Sequence, residues 1–311
     1  MDLAVAVRPV DRVVAAYNGV MVLVWATLVG SSGYATAIVI AHAAAAALPW
    51  LISRIRQTSG VMRSFIDLSP LIMLAAFWPE LDLLRLGLPA VGHDDVIRML
   101  DQRMFGMHLH FIWLPSMPYV WLSELMHAFY FGYYPLIVLP ALALLVRQRR
   151  EALHDLSLRL MVAYVACYLI YIPFPVYGPS LTLGHFAGPH TDGLLYRIVA
   201  AALQVGDSPG TAFPSSHVVG AVTLAVVGWR WFSRPVAWLM TIEAVGVLLS
   251  TVYTQHHYAI DAVAGLVLGL GVQFVIVPLL GGATRAPAEP SPATRSTYGW
   301  VPQPVMSGEE R

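Results

Sequence analysis

The chain has 311 residues, 58% of them hydrophobic and 12% charged, with 18 Lys+Arg balanced by 18 Asp+Glu. A soluble domain carries about 25% charge, so this composition excludes an ordinary cytosolic globular enzyme. Every basic residue is arginine, with no lysine, and a neutral chain offers nucleic acid no basic face. Cys167 stands alone in an apolar run, which excludes an internal disulfide and a Cys-based metal site.

A bilayer span needs ~20 mostly apolar residues. In chain order, eight stretches meet that length: 12–30, 34–53, 62–79, 122–146, 157–175, 214–232, 236–254 and 257–280. The first follows Arg8 and Arg12, but its apolar core outruns a signal-peptide h-region and no small-residue cleavage site follows, so it is expected to stay as a signal anchor. If the N-terminus is cytoplasmic, only Arg85, Arg98, Arg103 and Arg197 fall outside and the other fourteen arginines fall inside. The positive-inside rule thus predicts cytoplasmic N- and C-termini, in a plasma (inner) membrane. Two long outer connections each contain an amphipathic segment, at 96–105 and 194–203, suited to the interface plane. From Gly281 the chain turns Pro-, Ser- and Thr-rich and is expected to be a disordered cytoplasmic tail. The fold expected is an all-α polytopic bundle of about eight transmembrane helices.

Ionisable residues inside spans are functional candidates, because burying them costs ~2.5 to 3.5 kcal/mol. Two segments at outer helix ends concentrate them. The first, Gly210-Thr211-Ala212-Phe213-Pro214-Ser215-Ser216-His217, opens the sixth span. Its Pro, Ser215 and Ser216 present unpaired N–H groups and hydroxyls at a helix N-terminus, where the dipole favours an anion. His217 in the first turn is placed to give a proton to a leaving oxygen; a plain capped helix start with an incidental His is the alternative. The second segment, Ser250-Thr251-Val252-Tyr253-Thr254-Gln255-His256-His257-Tyr258-Ala259-Ile260-Asp261, joins the last two spans. His257 and Asp261 are four apart, so on a helix the carboxylate can hold one ring nitrogen and leave the other as a nucleophilic lone pair. An ordinary helix-start His-Asp pair has the same spacing.

Together, Pro214-Ser215-Ser216-His217 and Ser250-Thr251, five residues, His257, three residues, Asp261 resemble the second and third signatures of the type 2 phosphatidic acid phosphatase superfamily. The resemblance implies a six-helix catalytic core over 95–280, with 1–94 as N-terminal helices and outer loop and 281–311 as tail. It also implies that His257 attacks phosphorus to form a phosphohistidine, that Asp261 orients it and that His217 protonates the leaving group, without metal or cofactor. Ser215 and Ser216 would meet the phosphoryl charge.

Two departures stand out. The first signature needs a lysine, and the arginine of the third is Thr251. In their place stand Tyr171-Ile172-Pro173-Phe174-Pro175-Val176-Tyr177-Gly178-Pro179 and the doubled His256-His257. These, with the stretches 100–106 and 124–134, resemble the inositolphosphotransferase branch that includes inositol phosphorylceramide synthase. On that resemblance Tyr171, Tyr177, Gly178, Tyr253, His256 and Glu124 are expected at the substrate, with Arg103 and Arg197 as the outer cations placed to replace the missing ones. Glu124 and His127, three apart, match half of a di-iron helix motif, but one copy lacks the ligands for a metal site. His108 and His110 are expected in loops, while Asp67 and Glu243 within spans are open between packing and substrate contact.

The activity expected is transfer of a phosphorylated headgroup from a membrane phospholipid or lipid phosphate to a lipid hydroxyl or other alcohol. Hydrolysis, with water as acceptor, uses the same residues, and a membrane transporter or binding protein is the alternative of another class. The substrate and the bilayer are the partners implied; nothing in the pattern sets an oligomeric state.

Overall fold

The computed structural model describes residues 7–53, 60–88, 91–206 and 208–281. The expected tail, from 282 onward, lies outside the described residues, as do Arg54 and Arg56. The described chain is helical throughout its regular structure: α1 (Pro9–Ala26), α2 (Ala35–Ser53), α3 (Gly60–Gly87), α4 (Asp94–Phe105), α5 (Leu109–Ser116), α6 (Val120–Val146), α7 (Arg150–Tyr171), the short α8 (Pro179–Thr182), α9 (Leu194–Gly206), α10 (Ser216–Trp231), α11 (Arg234–Tyr253) and α12 (Ala259–Gly271). After α12 one π-helical turn, Val272–Ile276, and a last turn, Val277–Leu279, complete the span. The all-α polytopic architecture follows from the absence of water in the hydrocarbon core, where each helix must satisfy its own backbone.

All eight expected spans coincide with helices, and six of them are long and apolar enough to cross a membrane: α2, α3, α6, α7, α11 and the Ala259–Leu279 helix. The other two differ from expectation in extent. α1 starts at Pro9, so it carries Asp11 and Arg12 in its first turn, and α10 has only 16 residues. α10 packs on α6, α7, α11 and α12, so its length is matched to its neighbours rather than to lipid. Both amphipathic segments are helices, α4 and α9, which pack on α12 and α6. The third span overruns its expected end at 79 and continues to Gly87, through Pro79.

Buried polar clusters lock the bundle at both depths. At the end away from the site, Asp155 on α7 accepts from Arg159, Arg230 and Trp231, and Arg159 reaches Gln273 in the π turn. Asp67 on α3 takes Arg150 and His154 of α7 at 2.9 and 2.8 Å, so its role is packing between helices. Nearer the other end, His42 of α2 bridges Asn18 of α1 and Glu80 of α3, each at 2.7 Å, and Trp25 donates to the same Glu80 oxygen. With all four side chains buried, removing the shared acceptor strands two donors. Glu80→Leu should lower the melting temperature of the detergent-solubilised protein, by about 2–4 °C for each kcal/mol lost, read in a thermal unfolding scan.

Candidate active site

The two motif segments meet at one end of the bundle, where the N-termini of α10 and α12 face each other. Ser215 N–H donates to the Asp261 carbonyl at 3.1 Å, and His257 Nδ1–H donates to the Ala212 carbonyl at 2.9 Å. A carbonyl only accepts, so the proton sits on Nδ1 and His257 Nε2 is left as a lone pair. Nε2 receives only the Ser215 hydroxyl, at 3.1 Å.

Here the expected pairing differs in detail. Asp261 Oδ2 stands 3.6 Å from His257 Nδ1, beyond hydrogen-bond reach. It accepts instead from Tyr258 N–H at 2.8 Å, because His257 lies before the helix and Asp261 is its third residue. The backbone of Ala212 therefore fixes the tautomer, and the Asp261 carboxyl stands beside the same ring nitrogen without bonding to it.

The two helix starts are capped differently. At α12 the carboxylates of Asp261 and Asp101 take the amides of Tyr258 and Ile260. At α10 the N-cap is Ser215, but its hydroxyl is spent on His257 and makes no cap bond. The first N–H groups of α10 thus lack the usual serine partner, at the pocket that Ser216, His217, His256, His257, Tyr130 and Tyr177 line. The His217 ring lies 6.0 Å from that of His257, centroid to centroid, and 4.9 Å from Tyr130. Tyr130 also packs 4.8 Å from His256. Burial, and after it the neighbouring His185, holds His256 well below the ordinary histidine range.

Tyr177 lines the pocket, and Gly178 stands against His256 through its backbone: its φ is +84°, and a Cβ there would lie 2.7 Å from the His256 carbonyl. The other residues expected at the substrate serve elsewhere. Tyr171 is buried and donates to the Pro214 carbonyl at 2.7 Å, supporting the loop from behind. Tyr253 donates to the Met117 carbonyl at 2.9 Å, against Trp113. Glu124 accepts from Leu195 and Tyr196 N–H and caps α9, an exposed helix start that needs an acid. His127 is tied to the Ser123 carbonyl at 2.7 Å. Arg103 and Arg197 are exposed on α4 and α9 and line no part of the pocket. Glu243, on α11, faces Gly132 of α6 and is not among the residues lining the pocket.

Residues that the sequence reading passed over hold the site instead. On α4, Asp94 accepts from the amides of Tyr177 and Gly178 and from the Tyr258 hydroxyl, while Asp101 takes Ile260. Two acids seven apart on an otherwise apolar face, with buried Ile97 between them, were the available signal. On α3, Trp78 donates to the Gly206 carbonyl, Asp82 accepts from Ser208, and Arg85 donates to the Tyr171 carbonyl. These three, four and three residues apart, share a helix face. Gly265 of α12 packs closely on the start of α10: a Cβ there would lie 2.7 Å from the Ser215 carbonyl. With Gly269 it forms the small-residue pair that lets membrane helices pack closely.

Residues 95–275 match the family described as the PAP2 superfamily. An undecaprenyl-diphosphatase from Sulfolobus acidocaldarius is 36% identical over 73 residues, covering 22% of this chain and 33% of that protein, so the likeness spans about a third of the relative's length. No solved structure matches.

Two outcomes follow from this packing. Gly265→Ala should push α10 from α12 and lower turnover at least about tenfold, measured on folded protein with the substrate named below. His110, buried beside Tyr258, is pulled to about 4 by burial and then by the charges of His108 and Arg98. Since its unfolded value is near 6.5, stability is full above pH 6.5 and falls as pH drops toward 4. His110→Leu should flatten that loss in melting scans between pH 7 and 4.5.

Proposed function

Because the chain belongs to the PAP2 superfamily, a family of phosphatase-type enzymes, we propose that it cleaves lipid phosphoesters through a phosphohistidine on His257. One observation carries this reading: an Nε2 lone pair on His257 faces the same pocket as the uncapped N-terminus of α10. In the first step Nε2 attacks phosphorus, the bond to the leaving oxygen breaks, and His217 gives that oxygen its proton. The negative charge spread over the phosphoryl oxygens meets the first amides of α10, the Ser216 hydroxyl and neutral His256. Formation of a positive imidazolium in the attack is favoured by Asp261, 3.6 Å from its Nδ1. In the second step an acceptor oxygen, deprotonated by His217, displaces His257.

Water as that acceptor gives hydrolysis, which the diphosphatase relative supports. A second reading, transfer of a phosphorylated headgroup to a lipid hydroxyl or other alcohol, is supported by the His256-His257-Tyr258 run and by the absence of lysine from the chain. The substrate in either case is a membrane phospholipid or lipid phosphate. The arginine-rich ends of α1, α7 and α11 lie opposite the site, and the positive-inside rule supports a site on the extracytoplasmic face of the plasma membrane.

Purified protein in nanodiscs, given labelled lipid phosphate with chelator present, should trap acid-labile phosphate on the chain. His257→Ala should abolish both labelling and turnover, by more than about 10³-fold, and retained turnover overturns the assignment. His217→Ala should lose about 10²-fold or more on an alkyl phosphate but much less on p-nitrophenyl phosphate, whose leaving group needs no proton. Product analysis with water, diacylglycerol and ceramide competing separates hydrolysis from transfer.

A further inference from the structure

A second cavity, of about 520 Å³, opens from the catalytic pocket and runs down the bundle between α3 and α6. Trp78, Ser216 and His217 line both spaces. Its floor is α7, on which α3 and α6 both pack, with Tyr164 and Tyr168 buried beneath. One wall is the Leu68–Trp78 part of α3 and the other the Tyr133–Leu142 part of α6. The rim faces outward, where Ile72, Val138 and Leu142 are 49%, 51% and 45% exposed.

Size and position select one occupant. The groove follows α3 from Leu68 to Trp78, about 15 Å at 1.5 Å per residue, which is half the ~30 Å hydrocarbon thickness of a bilayer. It therefore spans one leaflet, is apolar along its length, opens sideways toward lipid, and ends polar at His217. That is the shape of a lipid whose phosphoester sits at the histidines and whose tail lies along α3. We propose that the α3–α6 groove holds one hydrocarbon tail of the lipid phosphoester, so that α3 sets the enzyme's tail preference. The proposal rests on the lipid-phosphoester reading above and goes beyond it, since α3 lies outside the 95–275 family segment. One face of the helix would then do two jobs along its length: Leu71 and Ala75 lie along the tail, and further on Trp78, Asp82 and Arg85 hold the segments that lead into the motif.

The test uses the full chain and hexadecyl phosphonate bearing a mid-chain diazirine. Photolabel should fall on 68–78 and 133–142, be displaced by unlabelled hexadecyl phosphonate, and resist hexadecanol. Ala75→Trp, which fills the groove, should cut labelling at least about tenfold and raise KM for hexadecyl phosphate at least about tenfold more than for butyl phosphate. Ala76→Trp, on α3 but off the groove, should change neither. Label elsewhere, equal displacement by hexadecanol (an annular bilayer lipid only), or equal losses on both phosphates in Ala75→Trp overturns the groove. A groove that labels as expected in a protein inert toward both phosphates supports the tail site and overturns the functional reading.

Discussion

Everything at the site depends on two helix N-termini being held face to face. Each start carries unsatisfied amides and a positive dipole end, so bringing two together is unfavourable unless the charge is met. The protein meets it unequally. At α12 the amides of Tyr258 and Ile260 are given to the carboxylates of Asp261 and Asp101. At α10 the one side chain that would ordinarily cap, Ser215, is turned toward His257. One terminus is thereby neutralised beside His257, and the other keeps its positive dipole end. The crossed bonds, Ser215 to the Asp261 carbonyl and His257 to the Ala212 carbonyl, make the two segments a single unit. The missing Cβ of Gly265 is what allows the distance.

That unit is braced by helices that carry none of the motif. α4 works as a strut, with Asp94 and Asp101 one at each end gripping both the Tyr177–Gly178 turn and the start of α12. α3 braces the other flank by tying its Trp78, Asp82 and Arg85 to the segments that lead into the site. Arg85 is thus used to hold backbone carbonyls, and the exposed Arg103 and Arg197 stand away from the pocket. On the proposed function, phosphate charge is left to backbone amides and neutral donors, which suits a chain without lysine: in a dry site fixed dipoles need no counter-ion and cost no reorganisation.

Where helices form was legible because apolar length alone decides it in a bilayer, and α4 and α9 showed through their amphipathic faces. Helix ends were less legible: α3 runs past 79 to Gly87 because its last turns are polar yet supported by neighbours that the sequence does not place beside it. Among the expected site residues, His217, His257 and Ser215 lie in two short segments singled out by their resemblance to family signatures, and the fold brings those segments together. Tyr171, Tyr253 and Glu124 were expected at the substrate from a family resemblance, and the structure gives them Pro214, Met117 and the start of α9 as partners. Each of those partners lies in another segment, where spacing carries no information.

By itself the sequence determined an all-α membrane bundle, the two segments that resemble family signatures, and the absence of any lysine. These depend on composition and on contacts within a few residues. The tertiary structure decided which carbonyl fixes His257, which helix start stays open, and that α3 reaches the site to line the groove beside it. Those are contacts between residues 40 to more than 100 positions apart, such as His257 with Ala212 and Trp78 with Gly206, and only the packing of the helices brings them within hydrogen-bond distance.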